Sequence, residues 1–399
     1  MAPQVLINLC ILTSSYPSSP DENNNSGVFV RDFVQACETI VPGCRVFTHR
    51  KGTPGDYRDV FPVLEYRWLG SDSSLTSVNL GSASGIIKAI SLLLMGSWGY
   101  LRLCRRKKID HSLAMWAFPS GLYAYLAKKL YGVPYSVWAL GSDIWRYEKH
   151  PIVGPVLRRV LREADHLFAD GMEFAETVAA LSGRRCDFLP STRDLGSIQA
   201  LPVEDQASRP RFLYVGRYEY NKGPDVLLEA ARLYLSSGGP GSFHLFGEGS
   251  LRPELDAYVS AHGLGEKVVI HDVIGVAALV GRLHWCDYLV IPSRIESIPV
   301  ILSDAMQSGT PVIATEVGDI PAIVDQMTLG LTVPPQAPEE LTQTLLECGH
   351  REEATRGISP GLRPPLTSPG DTARKFLRAV GLLARCEPQN AAPVGRTVR

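Results

Sequence analysis

Short apolar segments alternate with segments of helical spacing along most of this chain, and that alternation constrains its fold more than any other feature. The apolar segments have the length of buried strands. They cover residues 5–12, 44–49, 109–116, 134–140 and 166–169 in the first half, and 211–215, 242–246, 268–271 and 289–291 in the second. Strands that alternate with helices in this way are typical of a doubly wound parallel sheet, so the sequence predicts an α/β fold.

The alternation lapses once, between residues 189 and 211, where proline, glycine and acidic residues accumulate. That composition is typical of a linker. Because 399 residues are enough for two domains, we predict one domain over 1–200 and another over 201–350, with a cleft between them. Residues 351–399 are predicted to form an irregular tail with one short helix at 373–383 and a disordered end.

The charge balance excludes one class of partner. The formal net charge is −1, with 45% hydrophobic and 20% charged residues, which is the composition of a soluble globular protein. A nearly neutral chain argues against a nucleic-acid footprint that extends over the whole protein. We therefore expect no nucleic-acid partner.

The spacing of cysteine and aspartate predicts no metal site and no cofactor. The eight cysteines include no Cys-x-x-Cys pair, and the chain contains no Asp-x-Asp. Scattered cysteines fit a reduced compartment, so we expect a cytoplasmic protein. Residues 1–10 lack a basic region and are interpreted as the first strand and not as a signal peptide.

Residues 289–313 contain a strand end, a polar turn, a helix and a stop in direct succession. The apolar run 289–291 ends a buried strand. Ser297 is the predicted N-cap of the helix, and Pro299 lies near the first helical position, where a missing N–H costs nothing. Gly309 is the predicted stop.

The start of this helix is a predicted anion site. Its unsatisfied N–H groups face the carboxyl edge of the sheet, where ligands bind in open α/β folds. Glu296 and Asp304 flank the helix start with seven residues between them. Eight helical steps span at most about 12 Å, roughly the length of a sugar–diphosphate–ribose unit.

Two cations follow the strand at 211–215. Arg217 can make forked hydrogen bonds to a phosphate, and Lys222 can act as a compact charge, which is what a diphosphate leaving group needs where no metal neutralises it. Gly216 in the same turn, and Gly247 after the strand at 242–246, mark the same sheet edge. Either cation alone is common on a protein surface.

Gly27 ends a segment rich in serine, proline and asparagine and precedes a helical pattern. A glycine at this point lets backbone N–H groups approach a ligand closely. An ordinary surface loop before a helix has the same composition, so both interpretations stay open. In the same half, Gly141, Ser142 and Asp143 follow the strand at 134–140.

Residues 86–104 form the most apolar segment, and four basic residues at 105–108 follow it. Lys88 and Arg102 interrupt the segment, whose uncharged part is too short to span a bilayer. One interpretation is an amphipathic helix on an anionic membrane face, so that residues 86–108 give peripheral contact with the inner face of the plasma membrane. The other is a core helix whose C-terminal charges the helix dipole favours.

The order and spacing of these motifs resemble the group 1 (family 4) retaining glycosyltransferases of GT-B fold. The segments that carry the resemblance are 215–217 with 222–223, 246–249, 287–293, Glu296 with Asp304, 308–315 and 317–321. They cover roughly residues 211 to 335. A looser match in the first half involves 15–17, Gly27, 116–121 and 141–143.

The resemblance implies a GT-B architecture, in which two Rossmann-like doubly wound domains face a cleft. It also implies transfer of a sugar from a nucleotide-activated donor to a saccharide or lipid-linked acceptor, with retention at the anomeric carbon and without metal. The donor would bind mainly to the second domain and the acceptor to the first. Synthesis of a surface polysaccharide or glycolipid is the expected setting.

The resemblance further implies roles for the matched residues. Arg217 and Lys222 hold the diphosphate and stabilise its developing charge, Glu296 contacts the sugar, and these three are the expected catalytic residues. Asp304 holds the ribose hydroxyls. The donor-binding positions are Gly27, Gly216, Arg217, Lys222, Gly247, Glu296, Ser297, Ile298, Pro299, Val300 and Asp304, with backbone N–H groups of 297–300 meeting donor oxygens. The acceptor side is Gly141, Ser142 and Asp143.

Three positions depart from the family pattern. Asp304 is one methylene shorter than the glutamate of that pattern, Leu140 stands where a histidine is frequent, and Ser191-Thr192-Arg193 replaces an Asn-Gly pair. Two alternatives stay open. One is a nucleotide-sugar epimerase of GT-B fold, although Leu140 does not supply the histidine that such an enzyme needs. The other is a non-catalytic subunit that binds sugar nucleotides, which Leu140 and Asp304 favour.

The expected mechanism follows from the carboxylates of the first domain. A double displacement needs a carboxylate nucleophile below the anomeric carbon. Asp143 lies near the cleft by topology, but no first-domain carboxylate stands out for that role. The sequence therefore favours same-face substitution, in which the departing phosphate deprotonates the acceptor.

Overall fold

The computed structural model describes residues 6–17, 27–50, 59–71, 82–196, 198–204, 207–349 and 368–385. Within these ranges the chain forms two parallel sheets flanked by helices, so the predicted α/β fold is confirmed. The tail residues 351–367 and the end predicted to be disordered lie outside the described residues.

The first sheet is built from the N-terminal half of the chain. Its strands are β1 (Leu9–Thr13), β2 (Arg45–His49), β3 (Val63–Tyr66), β4 (His111–Met115), β5 (Tyr135–Ala139), β6 (His166–Ala169) and β7 (Asp187–Phe188). The helices are α1 (Val28–Ile40), α2 (Ala83–Arg106), α3 (Ser120–Tyr131), α4 (Ser142–Trp145), α5 (Val153–Glu163) and α6 (Met172–Ser182). The spatial order is β3-β2-β1-β4-β5-β6-β7, so the order reverses between β1 and β4.

The second sheet repeats this plan. Its strands are β8 (Arg211–Val215), β9 (Ser242–Phe246), β10 (Val268–His271), β11 (Tyr288–Ile291), β12 (Val312–Thr315) and β13 (Gly330–Val333). The helices are α7 (Pro224–Ser236), α8 (Arg252–Ala261), α9 (Val276–Trp285), α10 (Val300–Ser308), α11 (Ile320–Met327) and α12 (Pro338–Gly349). The order β10-β9-β8-β11-β12-β13 reverses between β8 and β11, and such a switch point is where open α/β sheets bind ligands.

Both faces of each sheet are covered, which explains why the strands are apolar at successive positions. In β1, Leu9 and Ile11 pack on the side of α1. Cys10 and Leu12 point the other way, toward α2 and α3. Alternate residues of a strand face opposite sides, so a strand between two helical layers needs apolar residues throughout.

The last helix returns to the first domain. This helix, α13 (Pro369–Ala379), is followed by a 3₁₀ turn at Leu383–Arg385 and packs against α1. Its Phe376 ring lies edge-on to Phe33 and Phe168, with centroids 5.7 Å apart in each case. The predicted short tail helix therefore exists about four residues earlier than expected, and it completes the core of the first domain.

The structure contains several elements that have no counterpart among the predicted segments. Among them are strand β3, which is a half-exposed sheet edge, and helix α9, which is apolar nearly throughout. The predicted N-cap at Ser297 is wrong. Helix α10 begins at Val300, the preceding Pro299 is in an extended conformation, and no side chain caps the helix start.

Removal of the Phe376 ring tests the docking of α13. Because the ring is completely buried against Phe33 and Phe168, Phe376→Ala is expected to lower the free energy of unfolding by about 3–5 kcal/mol. Urea denaturation measures the loss. Arg378→Ala, on the exposed side of the same helix, is the matched control and is expected to leave stability nearly unchanged. Equal stability of the two variants would contradict a docked helix.

Candidate functional site

The turns after β8 and β11 meet at the switch point of the second sheet. Arg294 N donates a 2.8 Å hydrogen bond to Asn221 O, which joins the two turns. The Arg294 guanidinium also pairs with Asp225 at the start of α7, with 2.6 and 2.7 Å bonds. These contacts hold the loop 292–299 against the loop 216–223, and the cations and carboxylate predicted from the sequence lie on these loops.

Lys222 and Glu296 form a direct ion pair. Their side chains are 21% and 10% exposed, so the pair is partly shielded from water and still reachable from the cleft. The predicted phosphate-binding cation and the predicted sugar-binding carboxylate are therefore brought together, although 74 residues separate them in sequence.

Arg217 is exposed at the carboxyl end of β8. Its carbonyl oxygen accepts a 2.7 Å hydrogen bond from Tyr214 Oη. Burial raises the pKa of Tyr214 well above its ordinary value, and the charges of Arg217 and Glu296 act on the same hydroxyl in opposite directions. Arg217 and Glu296 are therefore both near enough to Tyr214 for their charges to act on its hydroxyl.

Gly216 and Gly247 come from neighbouring strands and touch through their backbones. A Cβ atom at Gly247 would lie 1.9 Å from Gly216 O, so no other residue fits there. Gly216 N donates to Phe246 O at 3.0 Å, which keeps the two turns parallel. The geometry explains both glycines by packing, and their contact with the donor stays a prediction.

Ser297 reaches across the cleft to the first domain. Its Oγ donates a 2.7 Å hydrogen bond to Asp170 Oδ1, and both side chains are buried. The next residues, Ile298 and Pro299, are also buried, and Pro299 carries no N–H. Within 297–300, only Ser297, Ile298 and Val300 can therefore give a backbone N–H to a donor oxygen.

Asp170 is a cleft residue that sequence reasoning missed. It follows β6 directly, and its position at the carboxyl end of a strand is the signal that could have found it. Burial raises the pKa of Asp170 well above its ordinary range, and the negative charges of Glu296 and Asp143 act in the same direction, whereas the Ser297 hydrogen bond opposes them. The environment thus favours the neutral acid.

Asp319 makes a second contact between the domains. Its carboxylate accepts hydrogen bonds from the first N–H groups of α6, at 2.5 Å from Met172 N and 3.1 Å from Glu173 N. The carboxylate lies so close to Gly171 that a Cβ there would be 2.7 Å from Asp319 Oδ2. A carboxylate at a helix N-terminus is stabilising, so the second domain caps a helix of the first.

The predicted acceptor residues lie after β5. Asp143 is 2% exposed, and its two oxygens accept from Ala117 N at 2.5 Å and Leu140 N at 3.2 Å. The carboxylate therefore organises the loops at 116–121 and 140–143. Ser142 is exposed and Gly141 is buried with a φ of 85°. Contact of these residues with an acceptor stays a prediction.

Asp304 is completely buried and pairs with Arg193 of the linker. Gln307 connects the linker to α10 through two hydrogen bonds. Its Nε2 donates to Arg193 O at 2.9 Å, and its Oε1 accepts from Leu195 N at 3.1 Å. Within the described part of the chain, Asp304 Oδ1 and Arg193 Nε have no hydrogen-bond partner. Because Asp304 is completely buried, its contact with a ribose stays a prediction.

Gly27 lies beside the end of β1. Its φ is 82°, and a Cβ there would be 2.8 Å from backbone atoms of Ser15 and Tyr16. The glycine therefore allows the start of α1 to approach the carboxyl end of β1. The preceding loop residues 18–26 lie outside the described residues, and the role of Gly27 in donor binding stays a prediction.

Among the described residues, no group of three or more histidine, cysteine, aspartate or glutamate side chains is arranged to hold a metal ion. None of the seven cysteines in these ranges forms a disulfide. The expectation of a reaction without metal or cofactor stays a prediction, which the cations at the switch point make chemically reasonable.

Comparison with known proteins finds relatives among the glycosyltransferases. Residues 209–350 match the family model described as glycosyl transferases group 1. The chain is 26% identical over 293 residues to an alpha-D-kanosaminyltransferase of Streptomyces kanamyceticus, which covers 66% of this chain and 75% of that protein. It is 30% identical over 241 residues to a 2-deoxystreptamine N-acetyl-D-glucosaminyltransferase of Streptomyces fradiae, over 55% of this chain and 56% of that protein.

Solved structures confirm the fold. The structure of Anabaena HepE in complex with UDP and glucose superposes with a TM-score of 0.70 at 13% identity, covering 94% of this chain and 99% of that one. Sucrose-phosphate synthase of Thermosynechococcus elongatus superposes with a TM-score of 0.69 at 17% identity, covering 96% and 100%. The predicted GT-B architecture and the predicted resemblance are thus confirmed.

The Arg193–Asp304 pair gives a stability prediction. Removal of one partner leaves a buried charge, so Arg193→Ala is expected to cost about 3–5 kcal/mol of unfolding free energy. Arg193→Met with Asp304→Leu removes both charges and is expected to cost clearly less. Urea denaturation of the two variants measures the difference. Arg185→Ala, which breaks the exposed pair with Asp187, is the control; an Arg193→Ala loss no larger than the control would contradict the buried pairing.

Asp143 gives the fold a pH dependence of defined sign. Burial raises its pKa from 3.8 to about 6, so the native state binds this proton more tightly than the unfolded chain. Its contribution to stability is complete below the unfolded pKa and is lost as the pH rises through about 6. Asp143→Asn is expected to flatten this part of the pH profile of the unfolding free energy. The exposed Glu266→Gln is the control, and an unchanged slope in Asp143→Asn would contradict the assignment.

Proposed function

We propose that this chain, whose residues 209–350 match the model of the group 1 glycosyltransferases, transfers a sugar from a nucleotide-activated donor with retention at the anomeric carbon and without metal. The proposed acceptor is a saccharide or a lipid-linked acceptor. The observation that carries the proposal is the Lys222–Glu296 pair at the switch point of the second sheet, with Arg217 on the same edge.

The edge is suited to a diphosphate. Arg217 offers a forked donor and Lys222 a compact charge, and both follow β8 at the carboxyl edge where open α/β sheets bind ligands. The N-terminus of α10 adds unsatisfied N–H groups, since no side chain caps it. A donor of the nucleotide-sugar class is further supported by HepE, whose solved structures contain UDP or UDP-glucose.

The Lys222–Glu296 ion pair is preorganised for the phosphate and the sugar of such a donor. In the protein alone, Lys222 and Glu296 satisfy each other. When the donor binds, its phosphate competes for Lys222, and a sugar hydroxyl can donate to Glu296. Both charges are already in place before the reaction, so little reorganisation is needed as charge develops on the leaving group.

The carboxylates of the first domain support substitution on one face of the sugar. Both oxygens of Asp143 accept from backbone amides, and Asp170 is held toward its neutral form beside Ser297. The hydrogen bonds occupy both oxygens of Asp143, and burial disfavours the ionised form of Asp170 that a nucleophile needs. The bond from the anomeric carbon to the phosphate oxygen breaks with its electron pair on the diphosphate. The acceptor oxygen then bonds on the same face, and its proton passes to the departing phosphate.

The setting of the reaction is part of the proposal. We place the enzyme in the cytoplasm, in the synthesis of a surface polysaccharide or glycolipid, with the acceptor on the first domain. An epimerase and a non-catalytic subunit are not favoured, since the curated relatives named above are transferases.

Loss of Arg217 tests the charge stabilisation. A thermal-shift screen of UDP-, GDP- and ADP-sugars first identifies the donor by the rise in unfolding temperature. With that donor, Arg217→Ala is expected to lower kcat by about 100-fold or more, because a group that stabilises leaving-group charge is lost. Arg185→Ala is the control. Arg185 lies just before β7, at the amino end of that strand in the first sheet, whereas the proposed site lies at the carboxyl ends of strands in the second sheet. A kcat of Arg217→Ala within about threefold of the unmodified enzyme would contradict the role.

The stereochemistry and the metal requirement are read from the same reaction. NMR of the glycoside formed gives its anomeric configuration, which is expected to equal that of the donor. Addition of EDTA is expected to leave the rate unchanged. An inverted product would contradict the same-face mechanism without affecting the assignment of the donor site.

A further inference from the structure

We propose that the outward face of helix α2 docks on an anionic lipid bilayer. The face, called the apolar face below, consists of Ile86, Ile87, Ile90, Leu94, Met95 and Trp98. Four basic residues follow it at 105–108. Membrane docking is a property separate from the transfer reaction, and it is measured as binding to lipid vesicles without any enzymatic assay.

Helix α2 carries apolar side chains on its exposed side as well as on its buried side, unlike an ordinary surface helix. Its protein side is formed by Gly85, Leu92, Gly96 and Tyr100. Tyr100 is completely buried and its hydroxyl is 2.7 Å from Ser112 Oγ. A helix attached to a core by one face normally presents polar residues on the other, whereas α2 presents large apolar side chains there.

The exposure of these side chains is large. Ile87 is 55%, Ile90 50%, Leu94 63% and Trp98 57% exposed, at the spacing of three or four residues that lines up one helix face. Of the large apolar side chains that are exposed in the described part of the chain, six lie on this one helix. A contiguous exposed face of this kind marks an interaction surface.

Leu69 extends the apolar face beyond the helix. It is 66% exposed, and its N–H donates a 3.0 Å hydrogen bond to Ser91 Oγ of α2. The loop before α2 therefore holds a further apolar side chain beside the helix, which widens the surface available for docking.

The charge pattern selects a bilayer as the occupant. The guanidinium of Arg102 lies 5.2 Å from the centroid of the Trp98 ring, so a cation and an amphipathic ring mark the boundary between the apolar and basic parts. Residues 105–108 are all exposed and basic. Anionic headgroups attract such a run, while the apolar side chains enter the region between the headgroups and the acyl chains.

The helix lies on the membrane plane and does not cross it. By length and composition alone, Ala83–Arg106 is long and apolar enough to span a bilayer. However, Leu92 and Tyr100 are buried in the first domain, and Gly96 sits directly against the Tyr123 ring. Crossing would pull these residues out of the core, whereas docking in the plane leaves every one of these contacts intact.

Sedimentation with lipid vesicles tests the proposal on the full chain. Vesicles of equal parts phosphatidylcholine and phosphatidylglycerol are compared with vesicles of phosphatidylcholine alone. The protein is expected to sediment with the anionic vesicles and to be released as the salt concentration rises, because the basic run contributes an electrostatic attraction that salt screens.

Two variants separate the apolar and the electrostatic contributions. Ile90→Ser with Leu94→Ser is expected to lower the partition coefficient on anionic vesicles by about tenfold or more. A variant with Arg105→Gln, Arg106→Gln, Lys107→Gln and Lys108→Gln is also expected to lower the partition coefficient on anionic vesicles by about tenfold or more. Its partition on neutral vesicles is expected to stay unchanged. The matched control is Ile152→Ser with Leu201→Ser, which removes exposed apolar side chains elsewhere and is expected to bind like the unmodified protein.

The substituted side chains are exposed, so all variants are expected to fold, and thermal unfolding verifies this. The proposal is overturned if the unmodified protein does not bind anionic vesicles at low salt, or if the Ile90/Leu94 variant binds as well as the control. It is also overturned if light scattering shows a dimer that the Ile90/Leu94 variant dissociates, since a second copy would then cover the apolar face. Each outcome can occur whether or not the transfer reaction is as proposed.

Discussion

The carboxyl edge of a parallel sheet is the constraint on which the rest of this structure depends. In such a sheet every turn that follows a strand lies on the same edge, so residues from distant parts of the chain converge there. The two sheets turn these edges toward each other, and the hydrogen bonds from Ser297 to Asp170 and from α6 to Asp319 join them. The proposed donor loop is therefore positioned by both domains.

The sequence was sufficient to predict the part of the site that depends on strand ends. Lys222 and Glu296 each follow an apolar run, and the same-edge rule for parallel strands predicts that their turns converge. The structure brings them into contact because β8 and β11 are neighbours in the sheet, at the point where the strand order reverses. Neighbouring strands are not visible in the sequence, so the motif spacing of the resemblance was needed to connect the two residues.

Other features depend on which surfaces of distant elements meet, and no local pattern reports that. The short helix at the end of the chain was predicted, but its packing on α1 through Phe376 was not. Asp170 was not predicted as a site residue, because its hydrogen bond with Ser297 depends on how the two domains meet. For α2, the apolar composition fitted a core helix and a membrane helix equally well, and the structure adds which residues point outward.

The departures from the family pattern at Asp304 and Arg193 are one physical change and not two. Seen in sequence, a shortened carboxylate on α10 and an arginine in the linker are unrelated substitutions. In the structure they form a buried ion pair, and Gln307 fixes the linker backbone beside it. A buried carboxylate without a cation would be strongly unfavourable, so each substitution makes the other tolerable. The pair also ties the interdomain linker to the helix whose N-terminus faces the proposed donor site, so the linker and this helix are held in one arrangement.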